Sequence, residues 1–250
     1  MERYRKGVKT NNPEPEFKFN APVFPKKNIF KNLKSISELP KSHPARGLVG
    51  KRNIPQERCA DLFLCPDFYE FSNLLVKNKF PSLGCDHPRL LIPFRNEDGE
   101  VFAYQGRAFG SEQPRYITVK LDDNADKIYC LDRVDKTKKI FVVEGPIDSM
   151  FLDNCIAVAG ADFSKNLIDG ELVIIYDNEP RNKEICKQIE KTITQGQTIV
   201  IWPNHVKQKD INDMIIAGYT KQDLEEIIKN NTFSGAEAQL KLAEWRKINA

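Results

Sequence analysis

The chain has 250 residues, of which 40% are hydrophobic and 29% are charged, and its formal net charge is +3. This composition is typical of a globular protein with room for one large domain or two small ones. The small positive charge permits nucleic-acid binding without requiring it. No segment is long and apolar enough to span a membrane, and the N-terminus lacks the apolar core of a signal peptide. We therefore expect a cytoplasmic protein without membrane contacts.

The first 36 residues are predicted to form a basic linker or arm. Pro13, Pro15, Pro22 and Pro25 lie there among lysines and asparagines, a composition that disfavours regular structure. Lysine and arginine outnumber acidic residues from the N-terminus to about position 52. This excess is typical of a solvated, poorly ordered leader, and equally of an arm that contacts phosphates or a partner protein.

Residues 37–138 are predicted to mix helices and strands. Up to about position 80 the pattern is helical in pieces, and Pro55 favours the start of a helix that runs through Phe63. Two β-rich runs then flank an Asp-Gly turn, which predicts a hairpin, and a third short run predicts another strand. These predicted strands cover 89–95, 100–107 and 116–119.

From residue 139 the pattern alternates between strand and helix. The predicted strands lie near 140–143, 156–159, 171–176 and 198–202. The predicted helices lie near 147–152, 182–194, 210–217 and 220–229, and a last amphipathic helix covers 236–247. Such alternation predicts right-handed crossovers onto a mostly parallel sheet.

The cysteines and histidines do not form a zinc-binding pattern. No two of the six cysteines have the Cys-x-x-Cys spacing, and the three histidines are scattered. We therefore expect no zinc in this chain. Cys155 lies inside an apolar run and is predicted to be a small core residue in a reducing compartment.

Two apolar runs end abruptly in carboxylates. One precedes Glu144, and the other precedes Asp177 and Glu179. Runs of this length are typical of strands buried on both faces, and open α/β sheets bind ligands beyond the carboxyl ends of such strands. If the chain stays extended after the second run, Asp177 and Glu179 point to the same side and can share a divalent metal. Glu144 is predicted to join them there.

Further acids occur at predicted helix starts. Asp148 would lie in the first turn of one helix, and Asp210 and Asp213 begin another. Acidic residues are enriched at such positions, so a structural cap explains Asp148 or Asp213 as well as a functional role does. Arg181 either neutralises the nearby acids or meets a phosphate.

The acids resemble a known signature. Glu144-Gly145-x-x-Asp148 followed by Asp177-x-Glu179 resembles the TOPRIM motif of DnaG-type primases, type IA and II topoisomerases and some nucleases. The segment before it, with Arg89 to Phe94 and Gly99 to Arg107, is similar to the basic subdomain that precedes TOPRIM in bacterial DnaG-type primases. Lys209 to Asp213 resembles the late acidic motif. The resemblance covers about 85–217 and is closest to primases of tailed phages.

The resemblance implies an α/β fold in which a TOPRIM domain with a mostly parallel central sheet follows a smaller mixed α+β basic subdomain. The implied boundaries are 1–36 for the arm, 37–138 for the basic subdomain, 139–219 for the TOPRIM domain and 220–250 for the C-terminal helices. The tail either docks a helicase or packs against the TOPRIM sheet.

The resemblance also implies a function: synthesis of short RNA primers on single-stranded DNA by Mg²⁺- or Mn²⁺-dependent nucleotidyl transfer. The implied partners are template DNA, ribonucleoside triphosphates and a replicative helicase. Glu144, Asp177 and Glu179 would hold the metals, and Glu144 would also help to deprotonate the attacking hydroxyl. Further predicted catalytic or metal-site residues are Asp148, Asp210 and Asp213. Candidate contacts to template and triphosphate are Arg89, Arg95, Arg107, Arg115, Tyr116 and Lys127. Tyr104 and Tyr116 are candidates to stack on bases of single-stranded DNA, and core packing is the alternative for each.

Two departures from the family pattern keep other functions open. Glu179 stands where aspartate is usual, and the zinc ribbon that such primases use with the template is missing. Either this chain is the catalytic fragment of a longer primase, or another polypeptide supplies the ribbon. The alternatives are a TOPRIM nuclease and a non-catalytic subunit that binds DNA or helicase. A topoisomerase is disfavoured because 250 residues leave little room for its further domains.

Overall fold

The structure is a computed structural model that describes residues 28–81, 86–160, 163 and 167–247. Most of the arm predicted over 1–36 lies outside these residues. The described part of the chain forms two β-sheets with helices packed around them. No helix in this part is long and apolar enough to cross a bilayer.

The first sheet is antiparallel and contains the predicted hairpin. Its strands lie in chain order across the sheet. They are β1 (Lys34–Ser35), β2 (Phe63–Cys65), β3 (Arg89–Arg95), β4 (Val101–Ala108) and β5 (Tyr116–Lys120). Between β3 and β4, the Gly99 N–H donates to the Asn96 carbonyl at 2.8 Å, and the positive φ of Gly99 (77°) suits a tight turn. The hairpin and the following strand are thus confirmed.

The segment before the hairpin corrects one prediction. It contains α1 (Pro44–Lys51) and α2 (Phe68–Leu75), but the helix expected from Pro55 through Phe63 is a 3₁₀-helix over Gln56–Asp61 that ends before β2. Phe63 lies opposite Ser35 of β1 and Leu91 of β3. Pairing with two distant strands satisfies the backbone of this residue, which overrides the local helical pattern.

The second sheet has the predicted parallel core. Its strand order is β11-β10-β9-β7-β8-β6, and the four central strands are parallel. They are β7 (Ile140–Val143), β8 (Cys155–Val158), β9 (Leu172–Ile175) and β10 (Thr198–Val200). The antiparallel edge strands β6 (Ile128–Tyr129) and β11 (Thr232–Phe233) were not predicted, and β6 joins this sheet although it precedes position 139.

All five helices predicted in this half are confirmed, with small shifts of their ends. They are α3 (Pro146–Ser149), α4 (Lys183–Thr194), α5 (Ile211–Ile216), α6 (Lys221–Asn230) and α7 (Gly235–Trp245). Leu224 of α6 and Leu242 of α7 are buried in the same apolar cluster as the central strands. The C-terminal helices therefore pack onto the second sheet.

The two sheets share one core. Ile92 and Phe94 of β3 belong to the same buried cluster as Tyr129 of β6, and the Phe94 and Tyr129 rings lie 5.6 Å apart. Tyr104 lies in a smaller cluster on the other side of the first sheet, where its hydroxyl donates to Ser72 Oγ at 3.0 Å. Tyr104 is therefore a core residue, and the shared core fixes how the two sheets meet.

Candidate active site

The acids that follow β7 and β9 meet because these strands are adjacent and parallel. Glu144 follows β7 directly, and Asp177 follows β9 after one residue. The Asp177 backbone N–H donates to Glu144 Oε1 at 3.2 Å. The sheet topology thus places the two carboxylates side by side, as open α/β sheets do at their carboxyl edge.

Glu179 reaches the same region by a turn. Its N–H donates to the Asp177 carbonyl at 2.9 Å, so the chain is not extended there. The predicted extended chain is therefore wrong, but the turn still brings the two carboxylates to one cation. Lys209 Nζ lies 3.4 Å from Asp177 Oδ2 and 3.5 Å from Glu179 Oε1.

Asp148 enters the site from the first turn of α3. Its Oδ1 accepts the Asn212 backbone N–H at 2.9 Å, which joins α3 to the start of α5. A Cβ at Gly145 would lie 2.6 Å from Asp148 Oδ2. Glycine at this position therefore leaves the space that the Asp148 carboxylate occupies.

The late acids have different roles. Asp210 is the N-cap of α5, where its Oδ1 accepts the Asp213 N–H at 2.7 Å, and it also lines the cavity of the site. Asp213 is exposed and does not line that cavity. The structure therefore brings Asp210, but not Asp213, to Glu144, Asp148 and Asp177.

The clustered acids resist ionisation. Burial raises the pKa of Asp148 to about 8, and the nearby charge of Asp210 makes a smaller contribution in the same direction. Burial likewise raises the pKa of Asp177 to about 7, with a smaller contribution from the charge of Glu144. Burial also raises the pKa of Glu144 and of Asp210. Burial is the largest cause of each shift, and repulsion between neighbouring carboxylates adds to it.

This donor set suits a hard divalent cation, because carboxylate oxygens are the ligands that Mg²⁺ and Mn²⁺ prefer. Burial, together with repulsion from Glu144, raises the pKa of Asp177, and a cation bound here would favour its ionised form. As the side chains stand, no three acidic, histidine or cysteine groups among the described residues converge closely enough to hold a metal. Binding would require small side-chain movements, beginning with Lys209.

Glu144, Asp148, Asp177 and Asp210 line a cavity of about 460 Å³ between the two sheets, whereas Glu179 lines a neighbouring cavity. This volume lies in the range of small-molecule sites. The acidic wall comes from the second sheet and its loops, and other lining side chains are polar or basic. We call these the basic wall, which includes Arg52, Gln105, Arg115 and Tyr116.

Arg107 and Arg115 differ in their availability. Arg115 is exposed at the cavity, and the neighbouring Tyr116 is 38% exposed. Arg107 is buried, and its Nε donates to the Tyr116 hydroxyl at 3.2 Å while Nη1 donates to the Ala108 carbonyl at 2.9 Å. Arg107 therefore positions Tyr116, and Arg115 faces the cavity.

The position of Arg89 does not agree with its predicted contact to template or triphosphate. It is fully buried, with its guanidinium 5.4 Å from the centre of the Phe68 ring. Its Nη1 donates to the Gly106 carbonyl at 3.0 Å and to the Arg115 carbonyl at 3.3 Å, and its Nη2 lies 2.9 Å from His87 Nε2. These contacts enclose the guanidinium, so Arg89 supports the sheet and is not placed to bind a phosphate.

The structure does not bring Arg95 or Lys127 to the acids. Arg95 lies at the hairpin turn, where its Nη1 donates to the Gly99 carbonyl at 3.2 Å. The Lys127 carbonyl accepts the Ala159 N–H at 3.0 Å, but the Lys127 side chain does not line the cavity. Both predicted phosphate contacts therefore lie outside this cavity.

Sequence reasoning missed Arg52 and Lys209. Arg52 follows α1, and its Nη1 donates to Asn212 Oδ1 at 2.5 Å while Asn212 Nδ2 donates back to the Arg52 carbonyl at 2.7 Å. These two residues are 160 positions apart, so no local pattern could pair them. Lys209 had a signal, since it precedes the acids of the late motif.

Asn178 connects the acidic loop to two other segments. Its N–H donates to the Lys209 carbonyl at 2.6 Å, and its Nδ2 donates to the Val206 and Gln208 carbonyls at 3.0 Å each. Its Oδ1 accepts the Trp245 Nε1–H at 3.0 Å. The residue between Asp177 and Glu179 therefore anchors both the late acidic loop and the end of α7.

Comparison with known proteins gives one extended sequence match. The DNA primase of Enterobacteria phage T4 is 33% identical over 235 residues, a match that covers 91% of this chain and 68% of the phage protein. No protein-family model matches the chain.

Solved structures show the same fold. The Aquifex aeolicus primase, with its zinc binding and RNA polymerase domains, matches with a TM-score of 0.57 at 19% identity, over 77% of this chain and 57% of that one. A DnaG primase catalytic domain bound to single-stranded DNA matches with a TM-score of 0.57 at 16% identity, over 78% of this chain and 74% of that one. These matches confirm the α/β fold expected from the sequence.

Proposed function

The chain belongs to the DNA primase family, and we propose that it is a catalytic core that synthesises short RNA primers on single-stranded DNA during replication. One observation carries the proposal: four carboxylates and the guanidinium groups of Arg52 and Arg115 line a single cavity. Nucleotidyl transfer needs both a cation site and a phosphate site, and this arrangement can provide both. The primases among its relatives favour this activity over a nuclease or a non-catalytic subunit.

Glu144, Asp177 and Glu179 would hold Mg²⁺ or Mn²⁺, with Asp148 and Asp210 completing the acidic wall. The bound cation would neutralise the charge that develops on the reacting α-phosphate. Primer extension joins a 3′-hydroxyl to that phosphate and releases pyrophosphate. Glu144 would also help to accept the hydroxyl proton, a role that the resemblance to TOPRIM primases implies. The Asp213 carboxylate would act only through its charge on Asp210, and the hydrogen bond between the two residues uses the Asp213 backbone N–H.

The basic wall would bind nucleotide and template. Arg115 is the exposed arginine of this wall, and a guanidinium can contact a phosphate through two hydrogen bonds. Arg52, which Asn212 fixes in place, would contact a second phosphate group. Tyr116, held by Arg107, would stack on a base of the template or the incoming ribonucleotide. A DnaG primase catalytic domain of the same fold is known with single-stranded DNA bound, which supports DNA binding by this core.

We further propose that this core works with other components of replication. The two sheets support a division into a basic subdomain over 37–138, a TOPRIM domain over 139–219 and C-terminal helices over 220–250, with β6 added to the TOPRIM sheet. The Aquifex chain of similar fold includes a zinc binding domain. A zinc ribbon would reach this core either from another part of the same protein or from another polypeptide in trans. A replicative helicase would deliver the template, in the cytoplasm of the host cell.

A polymerisation assay tests the proposal. The protein is incubated with single-stranded DNA, Mg²⁺ or Mn²⁺ and labelled ribonucleoside triphosphates. Short RNA products support a primase, shortened DNA supports a nuclease, and binding without either product supports a non-catalytic subunit. Repeating the reaction with a zinc-ribbon fragment added in trans measures how much this core depends on that domain.

A further inference from the structure

The Lys209 ammonium bridges the two carboxylates of the Asp177-x-Glu179 turn. It lies 3.4 Å from Asp177 Oδ2 and 3.5 Å from Glu179 Oε1. The turn itself brings these two side chains together, since the Glu179 N–H donates to the Asp177 carbonyl. One monovalent cation therefore occupies the position between two oxygen ligands that a shared divalent cation would use.

The backbone fixes Lys209 at this position. The Lys209 carbonyl accepts the Asn178 N–H at 2.6 Å, and the Asn178 side chain holds the carbonyls of Val206 and Gln208. The loop that carries Lys209 is therefore hydrogen-bonded to the Asp177-x-Glu179 turn, which places the ammonium near both carboxylates. A chance contact between mobile surface side chains would lack this support.

The charges favour an exchange of partners. When Asp177 and Glu179 are both ionised, Lys209 leaves one net negative charge on the pair, whereas a divalent cation would neutralise both. With that cation bound, the Lys209 ammonium would be repelled from the two carboxylates. Its side chain is 52% exposed and lines the same cavity as Arg115, so a phosphate oxygen in that cavity is an available new partner.

We propose that Lys209 is a positioning residue that holds Asp177 and Glu179 together in the free protein and moves to a phosphate of the incoming triphosphate when a divalent cation binds them. This inference rests on the metal site of the proposed function. It assigns two effects to one side chain. Lys209 weakens metal binding in the absence of nucleotide, and it strengthens nucleotide binding once the metal is present.

Mn²⁺ binding without nucleotide tests the first effect. Lys209→Met removes the charge but keeps an apolar stem, and we expect it to bind Mn²⁺ about tenfold more tightly in titration calorimetry. Lys209→Arg keeps the charge and should bind Mn²⁺ as the wild type does. Lys207→Met is the matched control, because Lys207 lies on the same loop but donates to the Asn204 carbonyl. Unchanged or weaker binding by a folded Lys209→Met protein would overturn the exchange.

Primer synthesis at saturating Mn²⁺ tests the second effect. Lys209→Met should raise the KM for ribonucleotides about tenfold and change kcat much less, whereas a purely structural role would not affect KM selectively. An unchanged KM would overturn the phosphate contact. Glu144→Gln separates this inference from the metal site itself. If Glu144→Gln leaves Mn²⁺ binding unchanged, the metal site is wrong. If it weakens binding while Lys209→Met has no effect, only the role of Lys209 is wrong.

Discussion

Replacing Glu144 by glutamine removes one negative charge from the acidic wall while keeping the shape of the side chain. The glutamine carbonyl can still accept the Asp177 N–H, which now lies 3.2 Å from Glu144 Oε1. Burial raises the pKa of Glu144, so its charge is costly in the metal-free fold. We therefore expect the free energy of unfolding to stay within about 1 kcal/mol of the wild-type value, or about 2–4 °C in Tm.

The effect on catalysis should be much larger. Glutamine is neither a strong cation ligand nor a base, so both roles proposed for Glu144 are lost. Loss of one group that stabilises the transition-state charge costs at least about 100-fold in rate, or about 2.7 kcal/mol. The assay measures labelled RNA products on single-stranded DNA, alongside thermal unfolding of the same preparation. Glu190→Gln, on the exposed face of α4, is the matched control and should retain wild-type rates.

Two results would refute this reasoning. Wild-type synthesis by Glu144→Gln would show that the carboxylate takes no part in the chemistry. A lost activity accompanied by a much lower Tm would show that Glu144 supports the junction of β7 and β9 instead.

Three further predictions concern stability, binding and coupling. The folded protein keeps the Asp148 proton up to a pKa of about 8, whereas the unfolded chain releases it near 3.8, so wild-type stability falls as pH rises through this window. Without metal, the free energy of unfolding of Asp148→Asn should therefore exceed the wild-type value by about 1–2 kcal/mol at pH 8 and equal it near pH 4, as measured by urea unfolding. Arg115→Ala should weaken DNA binding and reduce the slope of log K against log salt concentration by about 1. Trp245→Phe removes the hydrogen bond to Asn178, which should cost about 1 kcal/mol of stability and raise the Mg²⁺ concentration for half-maximal synthesis.

Each of these predictions has a contrary outcome. A stability difference for Asp148→Asn that does not depend on pH would mean that Asp148 is ionised in the folded protein. Lys229→Ala is the control for Arg115→Ala, because it removes an equal charge from the exposed face of α6. If both variants reduce the salt slope by the same amount, the effect of Arg115 is non-specific. An unchanged Mg²⁺ requirement in Trp245→Phe would mean that α7 only packs on the sheet.

Elements with strong local patterns were predictable. The buried runs of β7 and β9 are apolar throughout because parallel strands are covered on both faces, and the acids after them identify the carboxyl ends. The short strands β2 and β6 were not predictable, because two or three residues show no period. They form where distant strands offer unpaired backbone groups, which is a property of the assembled sheets.

The sequence alone determined the α/β class, the hairpin and the two strand-end acids Glu144 and Asp177, since each depends on residues close together in the chain. Only the tertiary structure decided which charged side chains share the site. Arg89 and Arg115 are equally basic in the sequence, yet the first is enclosed by Phe68 and backbone carbonyls and the second faces the cavity. Lys209 reaches Asp177 and Glu179 only because the fold ties their loops together, and contacts between distant segments leave no local pattern.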